Sequence, residues 1–185
     1  MRRALPWIVG GALVVGAGAL TAATPSDDSL QGAFGIHGAV GTTVTSRDLV
    51  VTVTDATFSD EVVGPDPEWS ADGNWLIVTL VAAAPTTEVD AAINLATLAV
   101  ADRVFQASER PSDSLQGTPL RVGLDTVGTL AFELPDDLRT GAAELRLTPS
   151  FFTPELDDLV TVSLDLGELP RADSVELESP EWTAP

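Results

Sequence analysis

The chain lacks several residue types that commonly carry structure or chemistry, since its 185 residues include no cysteine, lysine or tyrosine. Without cysteine there is no disulfide framework and no thiol to acylate, which excludes a lipoprotein. The chain has a single histidine, His37, which together with the lack of cysteine argues against a transition-metal site. The same scarcity argues against nucleophilic catalysis, and no GxSxG motif is present. We therefore expect a protein that is not an enzyme, has no cofactor and is held together by its core.

Positive charge is also scarce, because the sequence beyond residue 23 carries seven arginines against 28 acidic residues. Its net charge is therefore near −21, which excludes nucleic acid as a partner, since phosphate binding needs clustered cations. The same charge argues against lying on an anionic membrane surface. Carboxylate pairs are numerous, but no pair stands out as the acid and base of a glycosidase.

An uncharged run, residues 4–26, directly follows Arg2 and Arg3. Its apolar core, residues 5–23, would span roughly 28 Å as a helix, about the thickness of the bilayer hydrocarbon. The sequence thus predicts a transmembrane or signal helix that contacts the lipid bilayer, with the remainder exported. Two interpretations stay open: an uncleaved anchor in the cell membrane, or a signal peptide cleaved near residue 23, which would leave a secreted protein.

The remaining sequence predicts a flexible spacer over 24–40, one domain over 41–167 and a disordered or loosely draped tail over 168–185. Short stretches of β-branched or alternating apolar residues predict about seven strands in the domain. These stretches are 49–58, 74–83, 92–100, 103–106, 126–134, 144–148 and 159–166. The stretches 92–100 and 103–106 form either a strand pair or one bent strand.

Two of these strands carry further information. The apolar face of 49–58 changes parity around Asp55, which indicates a β-bulge. The stretch 74–83 is apolar at both parities, which is typical of a central strand covered on both sides, with Trp75 as a core residue. The pattern as a whole predicts an all-β, antiparallel immunoglobulin-like β-sandwich.

Three segments also resemble actinobacterial exported families of unknown function that have an immunoglobulin-like sandwich. They are GNWLIVTLVAAAP (73–85), VADRVFQASER (100–110) and GTLAFELPDD (128–137). The resemblance implies the fold of the secreted mycobacterial immunoprotective antigen and an extracytoplasmic location. It implies no catalytic residues.

Acidic clusters in two predicted loops are the candidates for a calcium site, because calcium prefers carboxylate and carbonyl oxygens. The first comprises Asp60, Glu61, Asp66, Glu68 and Asp72, and the second Glu155, Asp157 and Asp158. Neither has EF-hand spacing, and the alternative interpretation of each is an ordinary solvated acidic loop.

Aromatic residues in predicted loops are the candidates for a protein-contact surface. They are Trp69 in the first acidic loop and the pair Phe151 and Phe152 between Pro149 and Pro154, with Trp182 in the tail. The alternative interpretation of the phenylalanine pair is that it caps the open end of the core. From these features we expect a tethered sandwich that contacts an unidentified envelope protein.

Overall fold

The computed structural model describes residues 32–65, 69–152 and 157–183. Within these ranges the chain forms twelve β-strands, and it contains no helix that is long and apolar enough to cross a membrane. The predicted N-terminal helix lies outside the described residues. In chain order the strands are β1 (Phe34–Ala39), β2 (Thr43–Thr45), β3 (Val50–Val63), β4 (Ser70–Ala83), β5 (Leu95–Val100), β6 (Arg103–Gln106), β7 (Asp125–Leu134), β8 (Ala142–Thr148), β9 (Asp158–Asp165), β10 (Arg171–Ala172), β11 (Val175–Glu176) and β12 (Glu181–Thr183).

The strands form two sheets, which confirms the predicted all-β architecture. Sheet A has the order β1-β9-β8-β5-β6, and sheet B has the order β10-β3-β4-β7-β12, with β2 and β11 also paired to β3. The seven predicted strands correspond to β3 through β9, and the two stretches 92–100 and 103–106 form the β5–β6 hairpin. The predicted bulge is present too, because the register between β3 and β4 shifts between Val53 and Asp55.

The main core lies between the sheets, as alternation along the strands predicts. Sheet B contributes the even-numbered positions Leu130, Phe132 and Leu134 of β7, and sheet A contributes the inward side of β8 and β9. Leu145 and Leu147 of β8 are completely buried, and the alternating apolar residues of β9 are at most 5% exposed. Strands that are distant in sequence thus bury one continuous apolar layer between the two sheets, and no disulfide supports it.

A second, smaller core covers the outer face of sheet B. Trp75 and Ile77 of β4, Ala131 of β7 and Leu177 from beyond β11 are buried together there. This arrangement explains why β4 is apolar at both parities: one face meets sheet A, and the other meets the C-terminal segment.

The structure corrects three features of the predicted architecture. The sandwich is not purely antiparallel, since β1 runs parallel to β9, and β10 and β11 run parallel to β3. The segment 24–40 is not simply a spacer, because β1 occupies residues 34–39 and hydrogen-bonds along β9. The segment 168–185 is not a disordered tail over its described part, because three short strands pair it with sheet B.

Candidate functional site

The loop after β8 presents the two phenylalanines to solvent. Phe151 is 70% exposed and Phe152 is 90% exposed, so the pair does not cap the core and the alternative interpretation is wrong. The start of the loop is fixed: Asn94 donates from Nδ2 to the Pro149 carbonyl at 2.7 Å, and the Ser150 hydroxyl donates to Asp157 Oδ2 at 2.9 Å. The backbone just before the two phenylalanines is therefore held in place.

Shallow hollows flank the Phe151 ring on two sides. One of about 350 Å³ lies towards Ser108 and Gly117, and one of about 240 Å³ lies towards Glu88 and Pro119. A third, of about 230 Å³, separates Val89 from Ser150. Phe151 thus stands between concave surfaces that another molecule can enter.

Further apolar side chains are exposed at the same end of the sandwich. Val89, in the loop after β4, is 73% exposed. Phe34, the first residue of β1, is 60% exposed, and its N–H donates to the Asp157 carbonyl at 2.9 Å. We call Phe34, Val89, Phe151 and Phe152 the aromatic end. Sequence reasoning missed Phe34 and Val89, because each is an isolated apolar residue in a polar or glycine-rich stretch.

Carboxylates surround the aromatic end. Arg47 holds two of them, since its guanidinium donates to Asp157 and its backbone N–H donates to Asp158 Oδ2 at 2.7 Å. Arg121 pairs with Glu88 at 2.6 Å on the other side. The hydrogen bond from Arg121, followed by one from the Val122 N–H, lowers the pKa of Glu88.

The first calcium candidate is only partly within the described residues, because Asp66 and Glu68 lie outside them. Asp60 pairs with Arg139 at 2.9 Å, and Asp72 lies exposed on β4, opposite Glu61 of β3. Among the residues that the structure describes, no three metal-ligating side chains form a group.

The second calcium candidate is likewise incomplete. Its Glu155 lies outside the described ranges. Asp157 and Asp158 direct their oxygens to Arg47 and Ser150, as described above. A cation there would have to compete with the Arg47 guanidinium.

Trp69 lies elsewhere on the molecule. It is half-buried just before β4 begins and packs against the second core, whereas the aromatic end lies beyond the point where β4 finishes. The Arg110 guanidinium carbon stands 6.0 Å from the Trp69 ring centre and 5.6 Å from that of Trp75, and Arg110 also pairs with Glu133 at 3.1 Å. Trp69 is therefore a packing residue and does not join the phenylalanine pair.

The remaining residues selected from the sequence are placed on strands. His37 is exposed on β1, opposite Thr161 of β9, and Trp182 is exposed on β12. The sequence placed His37 in a spacer, and this assignment is wrong because β1 begins three residues earlier.

Comparison with known proteins gives two similar solved structures. One is a predicted lipoprotein from Staphylococcus aureus subsp. aureus NCTC 8325, with 11% identity and a TM-score of 0.49, covering 75% of this chain and 97% of that chain. The other is an uncharacterized β-sandwich protein from Clostridium difficile 630, with 12% identity and a TM-score of 0.49, covering 77% of this chain and 100% of that chain. No family model matches the chain, and no curated protein sequence matches it.

Proposed function

We propose that the protein is a non-enzymatic, membrane-tethered β-sandwich that mediates protein interaction outside the cytoplasm, in the cell envelope. In this proposal residues 1–23 are the tether and the aromatic end is the contact surface. The observation that carries the proposal is the exposure of Phe151 and Phe152 side by side on an anchored loop.

Phenylalanine rings that stay in water forgo the free energy that burial would release. Single exposed apolar residues are ordinary, but two consecutive exposed phenylalanines, with exposed Val89 in the hollow that Ser150 also lines, concentrate apolar side chains at one end of the sandwich. Burying a phenylalanine side chain contributes about 1.5–3 kcal/mol, so a partner that covers both rings gains several kcal/mol. Because Asn94 and Ser150 already fix the backbone just before Phe151, less ordering entropy opposes binding than at a free loop tip.

The surrounding carboxylates define the chemistry of the partner. Asp48, Asp90 and Asp157 line the hollow next to Val89, and Glu88 lines the next hollow. Three of these four carboxylates already pair with the guanidinium of Arg47 or Arg121, so four negative charges face two positive ones and the rim stays net negative. A complementary surface therefore has an apolar centre and a rim of arginine or lysine, since unlike charges around an interface speed association and discriminate against wrong partners.

The location outside the cytoplasm is supported by sequence. The positively charged start followed by the apolar run 5–23 favours export, and the resemblance to actinobacterial exported sandwich families agrees with it. The rival form of the proposal is a secreted binding protein released by cleavage near residue 23. A calcium-dependent module is the second alternative, tested by comparing the melting temperature in EDTA with that in millimolar calcium.

The test uses the full-length protein, crosslinked in vivo and then purified, with N-terminal peptide mapping of the same sample. We compare the wild type with Phe151→Ala/Phe152→Ala and with Val104→Ala, a control on β6 whose side chain is 61% exposed. We expect one reproducible envelope partner that the double variant loses and the control keeps. Retention of the same partner by both variants would contradict the assigned surface, and a mature end near residue 24 would favour the secreted form.

A further inference from the structure

The described C-terminal residues cross the outer face of sheet B as a strap, which we define as residues 171–183. The strap begins at one edge of the sheet, where β10 and β11 pair with β3, and finishes at the other edge, where β12 pairs with β7. Leu177 fixes its middle: the side chain is 2% exposed, and its N–H donates to the Val63 carbonyl at 2.8 Å. Ser179 adds a hydrogen bond to Asp113 at 2.9 Å.

Beyond Leu177 the strap and the sheet do not pack together completely. They leave a half-open cavity of about 310 Å³, at the lower end of the range of about 300–1,000 Å³ that small-molecule pockets occupy. The floor comes from β4 and β7 and carries apolar and hydroxyl side chains, namely Ile77, Thr79, Val127 and Thr129. The strap itself provides the opposite wall.

That wall is acidic. Glu176, Glu178 and Glu181 all line the cavity. Within the described ranges, none of these three carboxylates forms an ion pair; the ion pairs there involve Arg47, Arg110, Arg121, Arg139 and Arg146 with other acids. The cavity therefore combines an apolar floor with uncompensated negative charge.

We propose that this cavity binds a small amphiphilic cation, a molecule with a compact apolar body and an ammonium group. The apolar body would cover the half-buried Val127 and pack over the buried Ile77 beneath it, which removes apolar surface from water. The ammonium would approach the three glutamates, and the attraction of unlike charges would be strongest at low ionic strength. An anion of the same shape meets repulsion, and a neutral analogue leaves the carboxylates without a counter-charge. This site is separate from the aromatic end and does not depend on it.

The first experiment tests the ligand class by titration calorimetry of the full-length protein in zwitterionic lipid nanodiscs. The probes are benzyltrimethylammonium, phenylacetate and benzyl alcohol, which share a ring and differ in charge, and empty nanodiscs provide the blank. We expect saturable binding of the cation that weakens with added salt, and at least about tenfold weaker binding of the other two. No saturable heat with the cation, or equal binding of phenylacetate, would overturn the proposal.

The second experiment locates the bound cation with two charge-matched triple variants. The test variant neutralises the strap through Glu176→Gln, Glu178→Gln and Glu181→Gln. The control changes exposed carboxylates that do not line the cavity, through Asp102→Asn, Asp136→Asn and Glu168→Gln. We expect about tenfold weaker binding in the test variant, as partly solvated charge contacts would give, and less than about a twofold change in the control.

Equal weakening in the two triple variants would show that general charge, and not the cavity, attracts the cation. Thr129→Trp provides an independent check, because a large ring from the floor would fill the cavity without changing the charge. We expect it to abolish cation binding while the far-ultraviolet circular dichroism stays unchanged. Binding that survives Thr129→Trp would place the cation elsewhere.

Discussion

Leu177→Ala tests whether the strap is a structural part of the sandwich. Leu177 is 2% exposed and packs with Trp75, Ile77 and Ala131 in the second core. The substitution removes three carbon atoms, at about 0.8 kcal/mol each, and leaves a cavity beside the indole ring. Because Leu177 belongs to the strap, local detachment of the strap from sheet B limits the loss, and we expect about 2–3 kcal/mol.

Thermal unfolding of the full-length protein in mild detergent measures this loss. For a chain of this size each kcal/mol lowers the melting temperature by about 2–4 °C, so Leu177→Ala should lower it by about 5–10 °C. Val104→Ala is the control, since an exposed aliphatic side chain contributes within about 0.5 kcal/mol.

Hydrogen exchange at a single amide complements the melting curve. The Leu177 N–H is bonded to the Val63 carbonyl and should exchange slowly in the wild type and quickly in Leu177→Ala. An unchanged melting temperature in Leu177→Ala, together with fast exchange of this amide in the wild type, would refute the claim that the strap is a structural part of the sandwich.

Three further predictions follow from individual contacts. An NMR titration should give Glu88 a pKa below its usual 4.5, and Arg121→Ala should raise that pKa. Arg121 favours the charged carboxylate, so the pair stabilises the protein at a pH above the usual pKa. This stabilisation is lost as the pH falls through the lowered pKa of the folded protein. Gly38→Ala should destabilise the protein by about 1–3 kcal/mol in chemical denaturation, because a Cβ there would overlap Cγ2 of Val44. Asn74→Ala should cost about 1–3 kcal/mol by the same assay, since its buried Nδ2 donates to two carbonyls of the turn after β7, at 2.7 and 3.3 Å. An unchanged Glu88 pKa in Arg121→Ala, or wild-type stability in either of the other variants, would contradict the corresponding contact.

The part of the fold that could be predicted from sequence is the part with clear periodicity. Strands β3 to β9 are long enough, or alternate regularly enough, for burial on one face to leave a pattern. The parity change at Asp55 even located a bulge, because a shift of one residue exchanges the two faces of a strand.

The strands that were missed leave no such pattern. β1 reads FGIHGA, whose glycines carry no side chain to bury, and its place is set by backbone pairing with β9. β10, β11 and β12 are two or three residues long, too short for a period. One signal did exist: β4 is apolar on both faces, so something had to cover Trp75 and Ile77, and Leu177 does so.

The candidate site was predicted in part. The proline-bracketed phenylalanine pair was recognisable from sequence, but its exposure depended on whether the loop folded back over the core. The packing of Trp69 could not be foreseen, because it requires the second core and the stacked Arg110 guanidinium. The partners of Asp60 and Asp157 were also hidden, since Arg139 and Arg47 are distant in sequence.

The most direct test of the proposed contact surface is site-specific photo-crosslinking in intact cells. A photoreactive phenylalanine analogue replaces Phe152 in one full-length variant and Val104 in the other, so that both probes are exposed but lie on different parts of the sandwich. We expect a discrete protein adduct from position 152 and none from position 104. No protein adduct at position 152, or the same adducts from both positions, would contradict it.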